Sequence, residues 1–343
     1  MILITGGAGY IGAHVNKELH NEGYDTVVLD NLSSGHKYAV NWGEFREGDI
    51  SNINFIDSIF NEFDIEGVMH FAAFTSVGES VKYPAKYFKN NYKNTLNLLK
   101  VMRENNVNKF IFSSTASVYG IPKNIPITEN DILNPINPYG KSKLMVELAL
   151  ERELKLNPNN FKYSALRYFN ASGADIDCDI GEDHNPETHL IPLILDVAMG
   201  KRDKIKIFGD DYNTPDGTCI RDYIHVKDIA QGHIKAFEYL NSFDNLDSNS
   251  NPNTNSNSNL NSLTNIFNLG NGNGFSVKEV IETCEKITGE EIKKEVVDRR
   301  EGDPSILIAD SKRAFDILNW DPEYSDLEKI VETSWNWHKK CFK

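Results

Sequence analysis

The sequence predicts an α/β fold: a doubly wound parallel sheet followed by a smaller α/β lobe. Three observations predict it. Short β-branched or apolar runs alternate with longer amphipathic patterns through the first half, a glycine-rich turn follows the first run directly, and an aspartate closes the second run about 20 residues later.

The strand candidates are "MILIT" (1–5), "DTVVLD" (25–30), "GVMHFA" (67–72), "KFIFSS" (109–114) and "KYSALRYF" (162–169). Each is short, bounded by turn residues and apolar on both faces, as a strand covered on both sides must be. Between them, residues 12–21, 54–63, 87–105 and 141–156 carry apolar side chains at i, i+3 and i+4, which predicts helices. Strictly alternating strand and helix implies parallel strands joined by helical crossovers. After about residue 172 the pattern breaks into loops rich in Gly, Asp and Pro, then recovers as helices over 226–240, 276–288 and 326–341 and as a strand in "IFNLG". A first domain over 1–172 and a second lobe over 173–343 are therefore expected, with some segments of the second returning to the first. Residues 244–265 are almost all Asn, Ser, Asp and Thr. Such a stretch cannot bury enough surface to offset its ordering entropy, so it is expected to be a disordered surface insertion without a ligand role.

With 343 residues and a formal net charge of −14, the chain can bury a large core and repels phosphate backbones and anionic lipid. Nucleic acid and membrane are excluded as expected partners. No apolar run reaches the ~18 residues of a membrane span, and the N-terminus opens on a strand pattern rather than a leader. Cys178, Cys219, Cys284 and Cys341 are widely spaced, which reads as reduced thiols, no structural metal and a cytoplasmic location.

"LITGGAGYIGAHV" places Gly6, Gly9 and Gly12 between the first strand and its helix. Glycine lets backbone N–H groups approach a pyrophosphate whose charge the helix N-terminus stabilises. Asp30 closes the second strand where a carboxylate can accept from the adenosine ribose. This is the context of a Rossmann dinucleotide site, and the carboxylate argues for NAD over NADP, since "DNLSSG" supplies no arginine for an extra phosphate.

"PYGKSK" (138–143) sets Tyr139 and Lys143 four apart, about 40° around a helix and so on one face. Free tyrosine ionises near pH 10, and a base acting near neutrality needs that lowered by roughly 3 units, about 4 kcal/mol. A neighbouring ammonium can supply part of this and a nicotinamide cation more. "FSSTASVYG" brings Ser113, Ser114 and Thr115 to the carboxyl edge of the fourth strand, where ligands of open α/β sheets sit.

These segments, with "VVLDNLSSG", "GDIS", "HFAAFTSVGES", "LRYFNASGA", "DGTCIRDYIHVKDIA" and "RREGDP", resemble the extended short-chain dehydrogenase/reductase family and its nucleotide-sugar epimerase branch, over nearly the whole chain apart from 244–265. The resemblance implies that Tyr139 is the base, Lys143 its electrostatic partner and a cofactor ribose ligand, and Thr115 a hydroxyl donor where many members carry serine. It implies NAD contacts at Tyr10, Ile11, Asp30, Asn31, Asp49, Ile50, Phe71, Ala72, Asn90 and Phe169 besides the glycines; Thr75 stands where some members carry lysine. Nucleotide-sugar contacts are implied at Asn170, His189 (asparagine in some members), Leu190, Arg221, Arg300, Asp303 and Leu307. The arginines suit a diphosphate as bidentate donors, and Asp303 suits a ribose or uracil donor.

The implied activity interconverts UDP-galactose and UDP-glucose by transient hydride transfer to bound NAD through a 4-keto sugar, a step of galactose metabolism. Homodimers are implied too, with residues 87–105 and 142–156 pairing as a four-helix interface. Related dehydratases place an Asp-Glu pair directly after the threonine, and related decarboxylases a glutamate at the second position; here Ala116 and Ser117 stand there, and neither transfers protons. Leu307 is smaller than the tyrosine that would crowd an N-acetyl group, so UDP-N-acetylglucosamine or another nucleotide-sugar is the alternative substrate. A catalytically silent NAD-binding regulator would need a damaged triad, whereas Thr115, Tyr139 and Lys143 are all present.

Overall fold

The computed structural model describes residues 1–158, 160–249, 265–300 and 302–341. In chain order the strands are β1 (Ile2–Thr5), β2 (Thr26–Asp30), β3 (Glu44–Glu47), β4 (Gly67–His70), β5 (Lys109–Ser113), β6 (Lys162–Tyr168), β7 (Asn170–Ser172), β8 (Ile205–Phe208), β9 (Ile220–Arg221), β10 (Tyr223–His225), β11 (Ile266–Leu269), β12 (Phe275–Ser276), β13 (Lys294–Val297) and β14 (Ile306–Leu307). The helices are α1 (Tyr10–Asn21), α2 (Ile53–Glu62), α3 (Val77–Lys82), α4 (Pro84–Tyr87), α5 (Asn94–Glu104), α6 (Pro138–Leu156), α7 (Leu190–Ala198), α8 (Val226–Asn249), α9 (Val277–Thr288), α10 (Lys312–Leu318) and α11 (Leu327–Cys341).

Seven strands form one sheet in the order β11-β6-β5-β4-β1-β2-β3, every neighbouring pair parallel. The chain leaves β1 toward β2 and β3 on one side and returns to β4, β5 and β6 on the other. A crevice therefore opens at the carboxyl ends of β1 and β4, the switch point where such sheets bind ligands. Alternation along β1 explains the two covered faces: Ile2 and Ile4 pack with Val15 and Leu19 of α1 and Phe237 of α8, whereas Leu3 packs with Ile56 of α2, Leu98 of α5 and Val146 of α6.

Beyond β7, the parallel pair β8/β13 packs with α7, α9 and α11 around Ile194, Ile207, Ile281 and Ile330. Two small sheets join this part to the crevice. In one, β7 pairs with β10; in the other, β9 lies between β12 and β14.

Four details differ from the sequence reading. β3 is not anticipated: on the sheet edge, with Glu44 and Glu47 exposed and only Phe45 and Arg46 half-buried, it lacks the apolar run that marks an inner strand. The helix expected over 87–105 begins at Pro84 and widens into a π-helical stretch at Phe88–Lys93 before α5. α6 starts at Pro138, with the Asn137 side chain accepting from Gly140 N at 2.8 Å, which places Tyr139 in its first turn. Residues 244–249 continue α8 as helix rather than forming a loop, and 250–264 lie outside the described residues.

Candidate active site

The glycine loop fixes the first wall of the crevice. Gly6 has φ +76°, and a Cβ there would stand 2.5 Å from Ala72 N. At Gly12 a Cβ would come within 2.3 Å of Gly6 O, so only glycine lets α1 close onto the turn. Gly9, the N-cap of α1, carries no side-chain cap, and the nearest atom to an added Cβ is 3.4 Å away. The first turn of α1 is therefore uncapped by any side chain, as a helix end that holds an anion requires.

Asp30 is 8% exposed and held at both oxygens, accepting from Ala8 N at 3.0 Å and Leu32 N at 2.8 Å. Burial raises its pKa, with those two bonds opposing. Asp49 accepts from Ser51 N at 2.7 Å and from the Asn31 amide at 2.6 Å; burial alone would raise its carboxyl, but these bonds outweigh it and leave it below its ordinary value. Asp49 and Ile50 follow β3, and Phe71 and Ala72 follow β4 with both N–H groups on Thr5 O. Tyr10 and Ile11 open α1, and the Tyr10 hydroxyl donates to Gly173 O at 2.6 Å. An uncapped helix end open to an anion and an immobilised carboxylate fit NAD.

Tyr139, Lys143 and Thr115 meet across from this loop. Thr115 follows β5, its side chain accepting from Ser117 N at 3.1 Å, and it lies near enough to the Tyr139 hydroxyl to favour that group's ionisation. Lys143 is 2% exposed; its Nζ donates to Ser113 O at 2.8 Å and lies 4.9 Å from the centre of the Phe112 ring. Burial pushes the Lys143 amine down to about 7, with the Glu147 charge opposing. Tyr139 is held above its ordinary value by burial, and Thr115 partly offsets this. The amine is engaged by a backbone carbonyl, and burial disfavours its charged form, so Lys143 supplies only part of the shift that Tyr139 needs.

The surroundings hold these groups still. Asn91, in the π-helical stretch, spans Phe74 N, Phe74 O and Ser142 Oγ, while Ser142 donates to Tyr139 O. A wide turn at that point presents successive asparagines differently from an α-helix, and Asn90 donates to Asn91 at 3.1 Å. Beneath α6, Arg167 and Glu147 form a buried two-point ion pair at 2.9 and 2.6 Å, and Ser114 donates to the same carboxylate.

The remaining site residues come from the two small sheets, the segment between β13 and β14, and the start of α7. β9 and β14 set Arg221 opposite Leu307, and Arg221 donates to Asp303. Asp303 is therefore already engaged rather than free. Phe169 and Leu307 pack on one apolar cluster with Ala116 and Val118. Asn170 begins β7, its N–H on Asp222 O. The Arg300 guanidinium lies 3.8 Å from the centre of the Phe208 ring. His189 caps α7 just before Leu190, but its ring turns to Glu182 and Glu187, at 2.6 and 3.1 Å. The Glu182 charge raises His189 strongly; burial alone would lower His184, yet the same two glutamates lift it to about 9. Sequence reasoning missed Asn91, the Ser113 carbonyl and the Glu182–His184–Glu187 group. Only the last left a signal, an E-x-H-x-x-E-x-H spacing.

Comparison with known proteins agrees with this geometry. The profile of the NAD dependent epimerase/dehydratase family matches residues 2–249. The chain belongs to that family. A UDP-glucose 4-epimerase of Halalkalibacterium halodurans is 50% identical over 339 residues, covering 99% of this chain and 96% of that relative. The crystal structure of UDP-glucose 4-epimerase from Brucella ovis in complex with NAD superposes with a TM-score of 0.89 at 43% identity, covering 98% and 97% of the two chains. The UDP-Glc/GlcNAc 4-epimerase of Campylobacter jejuni superposes at 0.82 with 43% identity, covering 99% of each. The residues matched by that family include both the glycine loop and the helix carrying Tyr139 and Lys143.

Proposed function

We propose that the protein interconverts UDP-galactose and UDP-glucose as an NAD-dependent isomerase. The observation that carries this reading is Tyr139 in the first turn of α6 beside Thr115 at the carboxyl edge of β5, with Lys143 buried and bonded to Ser113 O, in a sheet whose glycine loop lies at the same edge. Carbon 4 of the sugar bears no acidic hydrogen, so it can be inverted only by removing and returning that hydrogen with its electron pair. NAD, when bound, supplies the reversible acceptor. Tyr139 takes the proton of the 4-hydroxyl and returns it after the flat ketone has turned over, and Thr115 shares a hydrogen bond with the same oxygen. Lys143 orders the ribose side of the site and supplies positive charge when protonated. Gly6, Gly9 and Gly12 cradle the pyrophosphate of NAD, Asp30 takes a ribose hydroxyl, and Tyr10, Ile11, Asn31, Asp49, Ile50, Phe71, Ala72, Asn90 and Phe169 line the rest.

On the substrate side, Arg221, oriented by Asp303, and Arg300 hold the diphosphate, while Asn170, His189 and Leu190 border it. Holding the nucleotide and leaving the sugar loosely held is what rotation of the ketone requires. Purified protein incubated with UDP-galactose and no added nicotinamide nucleotide is expected to yield UDP-glucose. Absence of product both with and without added NAD would refute the reading.

Leu307, half-buried on β14, favours activity on N-acetylated UDP-sugars as a secondary property. Turnover of UDP-N-acetylglucosamine equal to that of UDP-galactose would contradict the ranking. Two lobes, 1–172 for NAD and 173–343 for the nucleotide-sugar with β11 returning to the first sheet, complete the proposal. Homodimers are supported by Leu148 and Leu156 of α6, by Val81 of the neighbouring α3 and by Tyr83 just after it, all exposed. A reducing, cytoplasmic setting is supported by four free cysteines.

A further inference from the structure

Glu182, His184, Glu187 and His189 converge in front of the first turn of α7. Each offers one donor atom, and the four atoms lie within 4.8 Å of one another. His189 Nδ1 stands 2.6 Å from a Glu182 oxygen and 3.1 Å from a Glu187 oxygen, and His184 Nδ1 stands 3.2 and 3.6 Å from oxygens of the same two residues. An imidazole Nδ1 carries one hydrogen and can point it at one acceptor, yet each ring faces two carboxylates. The four groups converge on one point, with His189 also within hydrogen-bond distance of Glu187. Donors about 2.0–2.2 Å from a tetrahedral ion stand roughly 3.4 Å apart, the middle of the range seen here.

Two further observations point to a ligand. The His184 Nδ1 atom is buried and, although 3.2 Å from a Glu182 oxygen, forms no hydrogen bond of good geometry with it. The Glu182 side chain is 7% exposed, and the ion pairs of its carboxylate are to the two imidazoles. The supporting structure is built: Trp337 Nε1 donates to Glu182 O at 3.0 Å, and a Glu187 oxygen accepts from Thr188 N and His189 N at 2.6 and 2.7 Å, fixing that carboxylate's direction. His189 is largely exposed, which leaves a path from solvent.

From this geometry we propose a divalent-cation site of two imidazoles and two carboxylates, best suited to Zn2+. Mixed nitrogen and oxygen donors at this spacing suit a first-row divalent ion over Ca2+ or Mg2+, which take more oxygens. The two carboxylates neutralise the ion. It ties residues 182–189 to α7 close to Tyr10, whose ring centre is 6.2 Å from that of His184, and so rigidifies the seam between the glycine loop and the lobe carrying His189 and Leu190.

The test is equilibrium dialysis of the tag-free, NAD-loaded protein against Zn2+, followed by Co2+ spectroscopy. One Zn2+ per chain is expected, with a rise in Tm, and affinity at least about 100-fold weaker in His184→Gln and in Glu187→Gln. The paired variant Cys178→Ser with Cys341→Ser should bind as the parent does, and the Co2+ spectrum should lack thiolate charge-transfer bands. Absence of stoichiometric Zn2+ would overturn the proposal, since the group would then be carboxylate–imidazolium pairs alone. Unchanged binding in both folded variants, or loss in the cysteine variant, would overturn it equally. Circular dichroism and NAD retention check folding, and Glu187→Gln, at the more exposed carboxylate, remains usable should His184→Gln misfold.

Discussion

Lys143 carries an electrostatic penalty that its chemistry needs. Burial holds it at about 7 against an ordinary 10.5. Between those values the unfolded chain binds a proton that the folded chain does not. The penalty is therefore full below pH 7 and is relieved as pH climbs toward 10.5. Lys143→Met, which keeps most of the stem, is expected to lose turnover yet to be more stable than the parent once NAD is removed. The gain should be roughly 5 kcal/mol at most below pH 7 and should shrink toward zero above pH 10. Urea unfolding of both proteins across that range checks it, and a constant difference would contradict it. The local reading of "PYGKSK" gave the pair and its shared helix face. It could not give the Ser113 carbonyl, because that contact joins β5 to α6 across 30 residues.

Among the elements, the glycine loop makes the sharpest claim about close approach. Gly12→Ala should cost about 1–3 kcal/mol and weaken NAD retention, since the new methyl meets the backbone at 2.3 Å. Gly78→Ala, in α3 with nothing within 4 Å, should instead gain about 0.4–1 kcal/mol. Unfolding midpoints of the two variants check the pair; equal effects would contradict the packing account. What the sequence made legible follows the same division. Inner strands and their crossover helices carry strong apolar periodicity because both sheet faces are covered, so β1, β2, β4, β5 and β6 were readable. β3 sits on an edge and obeys no such pattern, and the π-helical stretch at Phe88–Lys93 depends on Asn91 reaching Phe74 and Ser142, which are distant in sequence. The His–Glu group before α7 escaped because its members become neighbours only when the 182–189 loop folds back on itself.

Over the whole molecule, the two parts are joined by charge as well as by chain. Lys17 of α1 donates to Asp175, Asp177 and Asp179 at 2.7, 3.1 and 3.0 Å, with the lysine nearly buried. Burial alone would lower this lysine, but the three carboxylates outweigh it and raise its pKa. Lys17→Met leaves Asp175 buried without its cation and should cost about 3 kcal/mol. A change under about 1 kcal/mol by urea unfolding would mean that the link is ornamental. The proposed reaction depends on the Tyr139 hydroxyl. Its most direct test is turnover of UDP-galactose by Tyr139→Phe, measured beside NAD content and unfolding. Retained NAD and stability with activity reduced by about 1,000-fold or more is the predicted result; turnover equal to the parent's would contradict it.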